Sequence, residues 1–154
     1  MAIKVERSMT NSGGMGARRT KSGPSATCYP TGVAAVPVEI LEASMPIVFN
    51  KKELRPGSGG VGASRGGDGQ TIARRMRTSG PWLLNAVASR MTLPPEGLGG
   101  GAPGAAGRFL VNGKTVSEAR KMVMQPDDEV TLETPGGGGY GQPTATRRRS
   151  FPPR

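Results

Sequence analysis

Apolar positions in this chain come in short runs separated by glycine, proline and charge. Residues 1–32 are polar and glycine-rich, with little periodicity, and read as extended chain and loops. Val36-Pro37-Val38-Glu39-Ile40-Leu41-Glu42-Ala43 fits either a strand or a short helix. Pro37 suits the opening of both, and the glutamates suit the start of a helix. Ile47-Val48-Phe49 reads as a strand that Lys51 to Arg55 continue by alternation. Residues 56–69 are a loop, and Gln70 to Arg77 read as an exposed strand with Ile72 and Met76 on one face.

Trp82-Leu83-Leu84-Asn85-Ala86-Val87-Ala88 is the most apolar segment. Its leucines, with Val87 and Met91, fit a helical stripe, and a buried strand fits as well. Ser79-Gly80-Pro81 and Pro94-Pro95 bound its length, which favours the strand slightly. After a glycine- and proline-rich loop over 93–107, Arg108 to Val111 read as a strand and Asn112-Gly113 as a hairpin turn. Thr115-Val116-Ser117-Glu118 has the pattern of a capping box opening a one- or two-turn helix. Met122-Val123-Met124 and Glu129 to Thr134 read as strands joined by the turn Gln125-Pro126-Asp127-Asp128. The expected fold is α+β but mainly β, loop-rich and glycine-rich, with one or two short helices. The expected organisation is one domain over residues 1–143 and a basic, disordered tail over 144–154.

Composition narrows the function more than the fold. The apolar fraction is 34%, and Gly (25) and Pro (14) together make about a quarter of the 154 residues. The glycines cluster between apolar runs, as tight turns do, and the core they leave is small enough to need a neighbouring domain. There is one cysteine, Cys28, and no histidine. A disulfide framework and a histidine-based triad or general base are therefore excluded, and Cys/His zinc sites are disfavoured. Cys28 has no histidine to activate it and reads as a small buried or semi-buried side chain.

No secretory leader or membrane-length apolar run is visible, so cytoplasm is the default compartment. The net charge of +10 sits at the ends: Arg147, Arg148, Arg149 and Arg154 give the last eleven residues +4, and the first 24 carry another +4. Nucleic acid is the usual partner of such a pI. Aromatic residues at 4% give little to stack on, and a solvated tail is the preferred reading.

The spacing of the glycine clusters does not fit a phosphate loop. Gly14-Met15-Gly16 lacks the third glycine of the dinucleotide fingerprint, and Gly66 comes one position late after Gly60-Val61-Gly62. Gly107 through Gly113-Lys114-Thr115 has one residue too many for a Walker loop. The preferred reading is that glycine supplies positive φ and close packing. Several glycines of the Gly57–Gly69 loop are expected at positive φ. Among the carboxylates, Glu39 and Glu42 would share a helix face, and Asp127, Asp128 and Glu129 read as a solvated charge patch. Nothing in the chain by itself makes a complete active site.

The order of the loops carries a resemblance. It runs from Gly13-Gly14-Met15-Gly16-Ala17-Arg18 through Ser25-Ala26-Thr27, Pro30-Thr31-Gly32-Val33 and Pro37 to Ala43. It continues through Glu53-Leu54-Arg55-Pro56-Gly57-Ser58-Gly59-Gly60-Val61-Gly62 and Arg65-Gly66-Gly67-Asp68-Gly69. Pro94-Pro95-Glu96-Gly97-Leu98, Gly100 to Gly104 and Glu133-Thr134-Pro135-Gly136-Gly137-Gly138-Gly139-Tyr140-Gly141 complete it. In that order these motifs resemble the C-terminal portion of the hydantoinase B/oxoprolinase family. The family includes N-methylhydantoinase B subunits, half of 5-oxoprolinase and related subunits of acetone-type carboxylases.

The resemblance implies ATP-dependent hydrolysis of a cyclic amide with an A-type, ATP-binding partner subunit. That partner phosphorylates the ring amide, which makes its carbonyl electrophilic, and the B-type part helps water open the ring. ATP and a divalent metal belong to the full complex, and no cofactor is expected on this chain. Family members are longer, and the region expected to hold their metal-binding and catalytic residues lies upstream of the matching part. The chain is thus expected to be incomplete relative to the family, as a gene fragment, a split subunit or a truncated reading frame. It is expected to be inactive alone and to need the upstream part of the B subunit and the A-type subunit. A non-catalytic interaction module that kept part of the fold is the alternative.

In the matching motifs, Arg18, Arg55, Ser58, Arg65 and Asp68 are the candidates for an interface or active-site mouth. Arg65 and Asp68 are flanked by glycines and are expected to be accessible, with a local Arg65–Asp68 ion pair as the plainer reading. Gly59, Gly60, Gly66, Gly67, Gly136, Gly137, Gly138 and Gly139 are expected to be structural. Departures are Pro126-Asp127-Asp128 for the family's Pro-Gly-Asp, which would strain Asp127 at positive φ, and Ser89-Arg90-Met91 for an Asp-Arg pair. The Arg-rich tail has no family counterpart.

Overall fold

The computed structural model describes residues 9–29, 32, 35–116 and 121–143. The expected tail over 144–154 lies outside the described residues. Its elements in chain order are α1 (Val38–Ser44), β1 (Ile47–Leu54), β2 (Gln70–Met76) and β3 (Trp82–Asn85), then β4 (Arg108–Val111), β5 (Lys114–Thr115), β6 (Lys121–Met124) and β7 (Glu129–Glu133). The fold is mainly β with one short helix among the described residues.

The open choice at 36–43 resolves as helix. Pro37 stands at the N-cap, where its missing N–H costs nothing, and Glu39 lies in the first turn. Glu42 then accepts the Phe49 backbone N–H at 2.6 Å and ties the helix to the strand that follows.

One antiparallel sheet has the order β1-β2-β7-β4-β5, and β3 pairs with β6 in a separate ribbon. β2 is paired on both sides, with Ile72 facing Lys52 on β1 and Leu132 on β7. The expected exposed strand is therefore an interior one, and Ile72 and Ala73 are both buried. Asn112 and Gly113 both take positive φ, at 50° and 76°, as a two-residue hairpin turn demands. The hairpin partner β5 includes Thr115, and the helix expected to follow it falls on 117–120, outside the described residues.

β6 and β7 follow one another through the turn at 125–128 but do not pair. β6 crosses to β3, and the inward faces of that ribbon close the core. Trp82, Leu84 and Met122 pack with buried Met124 on Phe109 and Val130. Asp127 is absent from the positive-φ residues, so the substituted turn is not strained there.

Leu54 pairs with Gln70, Thr71 with Glu133, and Arg108 with Glu133. The ends of β1 and β7 and the beginnings of β2 and β4 therefore meet at one end of the main sheet. The glycine-bearing segments at 58–69, 95–107 and 135–141 all leave from that end.

Candidate functional site: a glycine core closed by side-chain clasps

The segments 13–17, 23–27, 58–69, 95–107 and 135–141 are held to one another by backbone hydrogen bonds. Gly60 N–H donates to Gly137 O at 2.8 Å, Gly67 N–H to Met15 O at 2.9 Å, and Gly137 N–H to Gly67 O at 2.9 Å. Gly139 N–H donates to Ala102 O and Ala17 N–H to Gly138 O. Gly59, Gly60, Gly66, Gly67 and Gly136 through Gly139 are all buried. This is a second core, made of backbone rather than side chains.

Close approach, not positive φ, is what these positions require. A Cβ on Gly66 would stand 2.0 Å from the Gly137 carbonyl oxygen. Within the loop from Gly57 to Gly69, only Gly57 has positive φ, at 80°, and a Cβ there would meet nothing within 4 Å. The expectation of several positive-φ glycines in this loop is corrected accordingly. The same packing fills the space beside Gly59, Gly60, Gly66 and Gly67 with neighbouring backbone.

Side chains clasp the loop that carries most of the candidates. Asp68 Oδ1 accepts from Gly59 N–H and from Arg65 Nη2, both at 2.8 Å. Ser58 is buried; its hydroxyl donates to Arg55 O at 2.7 Å and accepts the Gly69 N–H at 2.8 Å. Arg55 Nη1 donates to Ala106 O at 2.8 Å, and its Nη2 lies 3.2 Å from Glu133 Oε2. Asp68, at 14% side-chain exposure, is turned inward, which corrects the expectation that it is accessible. Arg65, at 47%, is accessible, and the local ion pair between the two is present. Arg18 is exposed on a tight turn in which its N–H donates to Lys21 O at 2.9 Å.

Sequence reading missed three participants. Thr134 is buried and accepts the Gln70 N–H at 2.6 Å, and Ser25 accepts the Asp68 N–H at 2.9 Å. Glu133 holds Arg55 and Arg108 through one oxygen. All three stand in the motifs that carry the family resemblance, but nothing local marks their hydrogen-bond partners, which lie far off in the sequence. Cys28 is half-buried and its sulfur contacts the Ser12 hydroxyl. Arg74, in the middle of β2, has its Nη1 3.3 Å from Met9 Sδ, and burial lowers its pKa.

An open groove of about 750 Å³ is lined by Gly14, Met15, Gly16, Thr27, Tyr29 and Arg90. Asp127, Asp128 and Glu129 are not simply a solvated patch. Asp128 accepts from Asn112 Nδ2 at 2.7 Å and from Gln125 N–H at 2.6 Å. Among the described residues, no group of three or more His, Cys, Asp or Glu side chains could hold a metal ion. The described residues thus offer no such cluster to the divalent metal that the resemblance implies for the full complex. Among the same residues, no helix is long and apolar enough to cross a membrane.

Comparison with known proteins places this glycine core. The chain is 33% identical over 139 residues to 5-oxoprolinase of Dictyostelium discoideum, covering 86% of this chain and 11% of that protein. It is 31% identical over 124 residues to caprolactamase subunit beta of Pseudomonas jessenii, covering 69% of this chain and 20% of that subunit. The crystal structure of the ATP-dependent caprolactamase from the same organism superposes with a TM-score of 0.67 at 28% identity. That match covers 87% of this chain and 26% of the other. The chain therefore spans between a tenth and about a quarter of the length of these relatives. The hydantoinase B/oxoprolinase model matches residues 4–143, a span that takes in all the interlocked glycine segments and the clasps between them, and the chain belongs to that family.

Proposed function

We propose that this chain is the C-terminal segment of a B-type, hydrolase subunit in an ATP-dependent cyclic-amide hydrolase that works with an A-type partner. The observation that carries this reading is the glycine core: within the span the family model matches, a Cβ on Gly59, Gly60, Gly66, Gly67 or any of Gly136 to Gly139 would overlap neighbouring backbone. Such a part shapes and braces a larger catalyst. The relatives' names support the substrate class, since 5-oxoproline and caprolactam are both cyclic amides, and one structure is of an ATP-dependent enzyme. In this reading ATP and the divalent metal act elsewhere in the complex, and the cytoplasm is its setting.

The clasp residues divide by role. Arg55, Ser58 and Asp68 hold the loop from within, while Arg18 and Arg65, whose side chains remain exposed, face the partner or the active-site mouth. The decisive assay gives the purified chain 5-oxoproline, hydantoin or caprolactam, with ATP and magnesium. The expected result is no ring opening, because the chain has no histidine and its described residues offer no metal-holding cluster. Turnover that follows the protein through purification would overturn the reading.

A further inference from the structure

The β3–β6 ribbon has two faces of different fate. Trp82, Leu84, Met122 and Met124 point inward to the core. On the other face Leu83 and Val123 stand directly opposite each other in the ladder, 55% and 69% exposed. A cross-strand aliphatic pair is the arrangement that stabilises a sheet by mutual packing, yet this one packs against water. Val87, just beyond the strand, is 93% exposed. Among the described elements β3 and β6 pair only with each other, so the outer edge of each is open as well. Open edges beside an apolar face are what proteins ordinarily cover or charge.

We infer that this outward face is an interface, and that its occupant is an apolar surface of the same B-type subunit, from the part this chain does not span. The inference rests on the proposed function. Two observations select the occupant. The chain matches only 20% of the caprolactamase beta subunit, so four-fifths of such a polypeptide lies outside the match and is available to cover this face. The side-chain core is also that of a piece cut from a larger one: Ile47, Ile72, Ala73, Phe109, Met124 and Val130 are its buried apolar members, while Leu83, Val87 and Val123 stay in solvent. Faces of that kind resemble a hydrophobic core divided in half and mark permanent contacts.

The test uses photo-crosslinking. Benzoylphenylalanine is placed at Leu83 or Val123 of the full chain, with Glu53 on β1 as the control site. Each form is mixed with Pseudomonas jessenii caprolactamase subunit beta lacking its matching stretch. The expected result is a complex whose adducts, mapped by mass spectrometry, run from 83 and 123 into the truncated subunit, several-fold above those from 53. The double variant Leu83→Asp with Val123→Asp should abolish the complex and leave Tm unchanged. A complex without ribbon adducts, or ribbon adducts that join two copies of this chain, overturns the inference alone. Failure to form any complex overturns both the inference and the proposed function.

Discussion

Gly66 lies against Gly137 so closely that a Cβ at position 66 would stand 2.0 Å from the Gly137 carbonyl oxygen. The atom in the way is backbone, and Gly137 O is itself engaged by the Gly60 N–H at 2.8 Å. Neither a rotamer change nor a small shift relieves such a clash. A Gly66→Ala change should therefore cost about 3 kcal/mol or more. Gly57→Ala, with open space but φ of 80°, should cost about 1–2 kcal/mol. Gly80 has neither constraint, and Gly80→Ala should stabilise by up to about 1 kcal/mol by restricting the unfolded chain. Urea unfolding of the three variants checks the ranking; equal losses at 57 and 66 would refute the close-approach account.

The clasp at Asp68 predicts a different ordering. Asp68→Ala strips an acceptor from the Gly59 N–H, which sits in a buried stretch, and should destabilise by about 1–3 kcal/mol. Arg65→Ala removes a half-exposed partner and should cost less than about 1 kcal/mol. In a reconstituted complex the emphasis reverses: loss of Arg65 should weaken assembly more than it lowers Tm. Unaltered assembly in that variant would confine Arg65 to the loop.

Local pattern made much of this architecture readable, and its limits are physical. β1, β4 and β7 announce themselves by β-branched and aromatic residues between turn formers, and Asn112-Gly113 names its own hairpin. Nothing local says that β6, joined to β7 by four turn residues, pairs with β3 instead, because that choice is made by burial of Met122 and Met124 on Phe109 and Val130. Glycine was legible as structural, with positive φ and close packing both named, but not which of the two each position uses. Positive φ is a property of one residue, whereas close approach depends on segments distant in sequence. Asp68 failed for the same cause: its glycine neighbours suggested freedom, but they bring backbone donors within reach of the carboxylate.

Acid stability should depend on the turn at 125–128. The Asn112 side-chain amide, and after it the Gln125 N–H, hold the Asp128 carboxyl below its ordinary value. A depressed folded-state pKa contributes stability that is present above the unfolded value of about 3.9 and is lost as pH falls through the folded pKa. Asn112→Gly keeps the positive φ and deletes the amide. The pKa of Asp128 should then rise toward normal in an NMR titration. The stability gap between wild type and variant should be widest above pH of about 5 and narrow in acid. A gap independent of pH would mean that Asn112 acts through the turn alone.

Glu133 provides the last test, because it decides whether Arg55 is a surface residue or a brace. Its Oε2 lies 2.7 Å from Arg108 Nε and 3.2 Å from Arg55 Nη2. The two arginines are unequal: Arg108 is exposed on the first residue of β4, while Arg55 is half-buried and also donates to the Ala106 carbonyl. Arg108→Ala should cost less than about 1 kcal/mol, as exposed pairs do. Arg55→Ala should cost about 1–3 kcal/mol, since it also leaves the Ala106 carbonyl short of a donor and Glu133 short of a neighbour. Glu133→Gln keeps an acceptor but leaves two guanidinium groups converging without a counter-charge. A double-mutant cycle of Arg55→Ala with Glu133→Gln should return a coupling of about 0.5–3 kcal/mol. Zero coupling, with Arg55→Ala still folded and as stable as wild type, would return Arg55 to the candidates for partner contact.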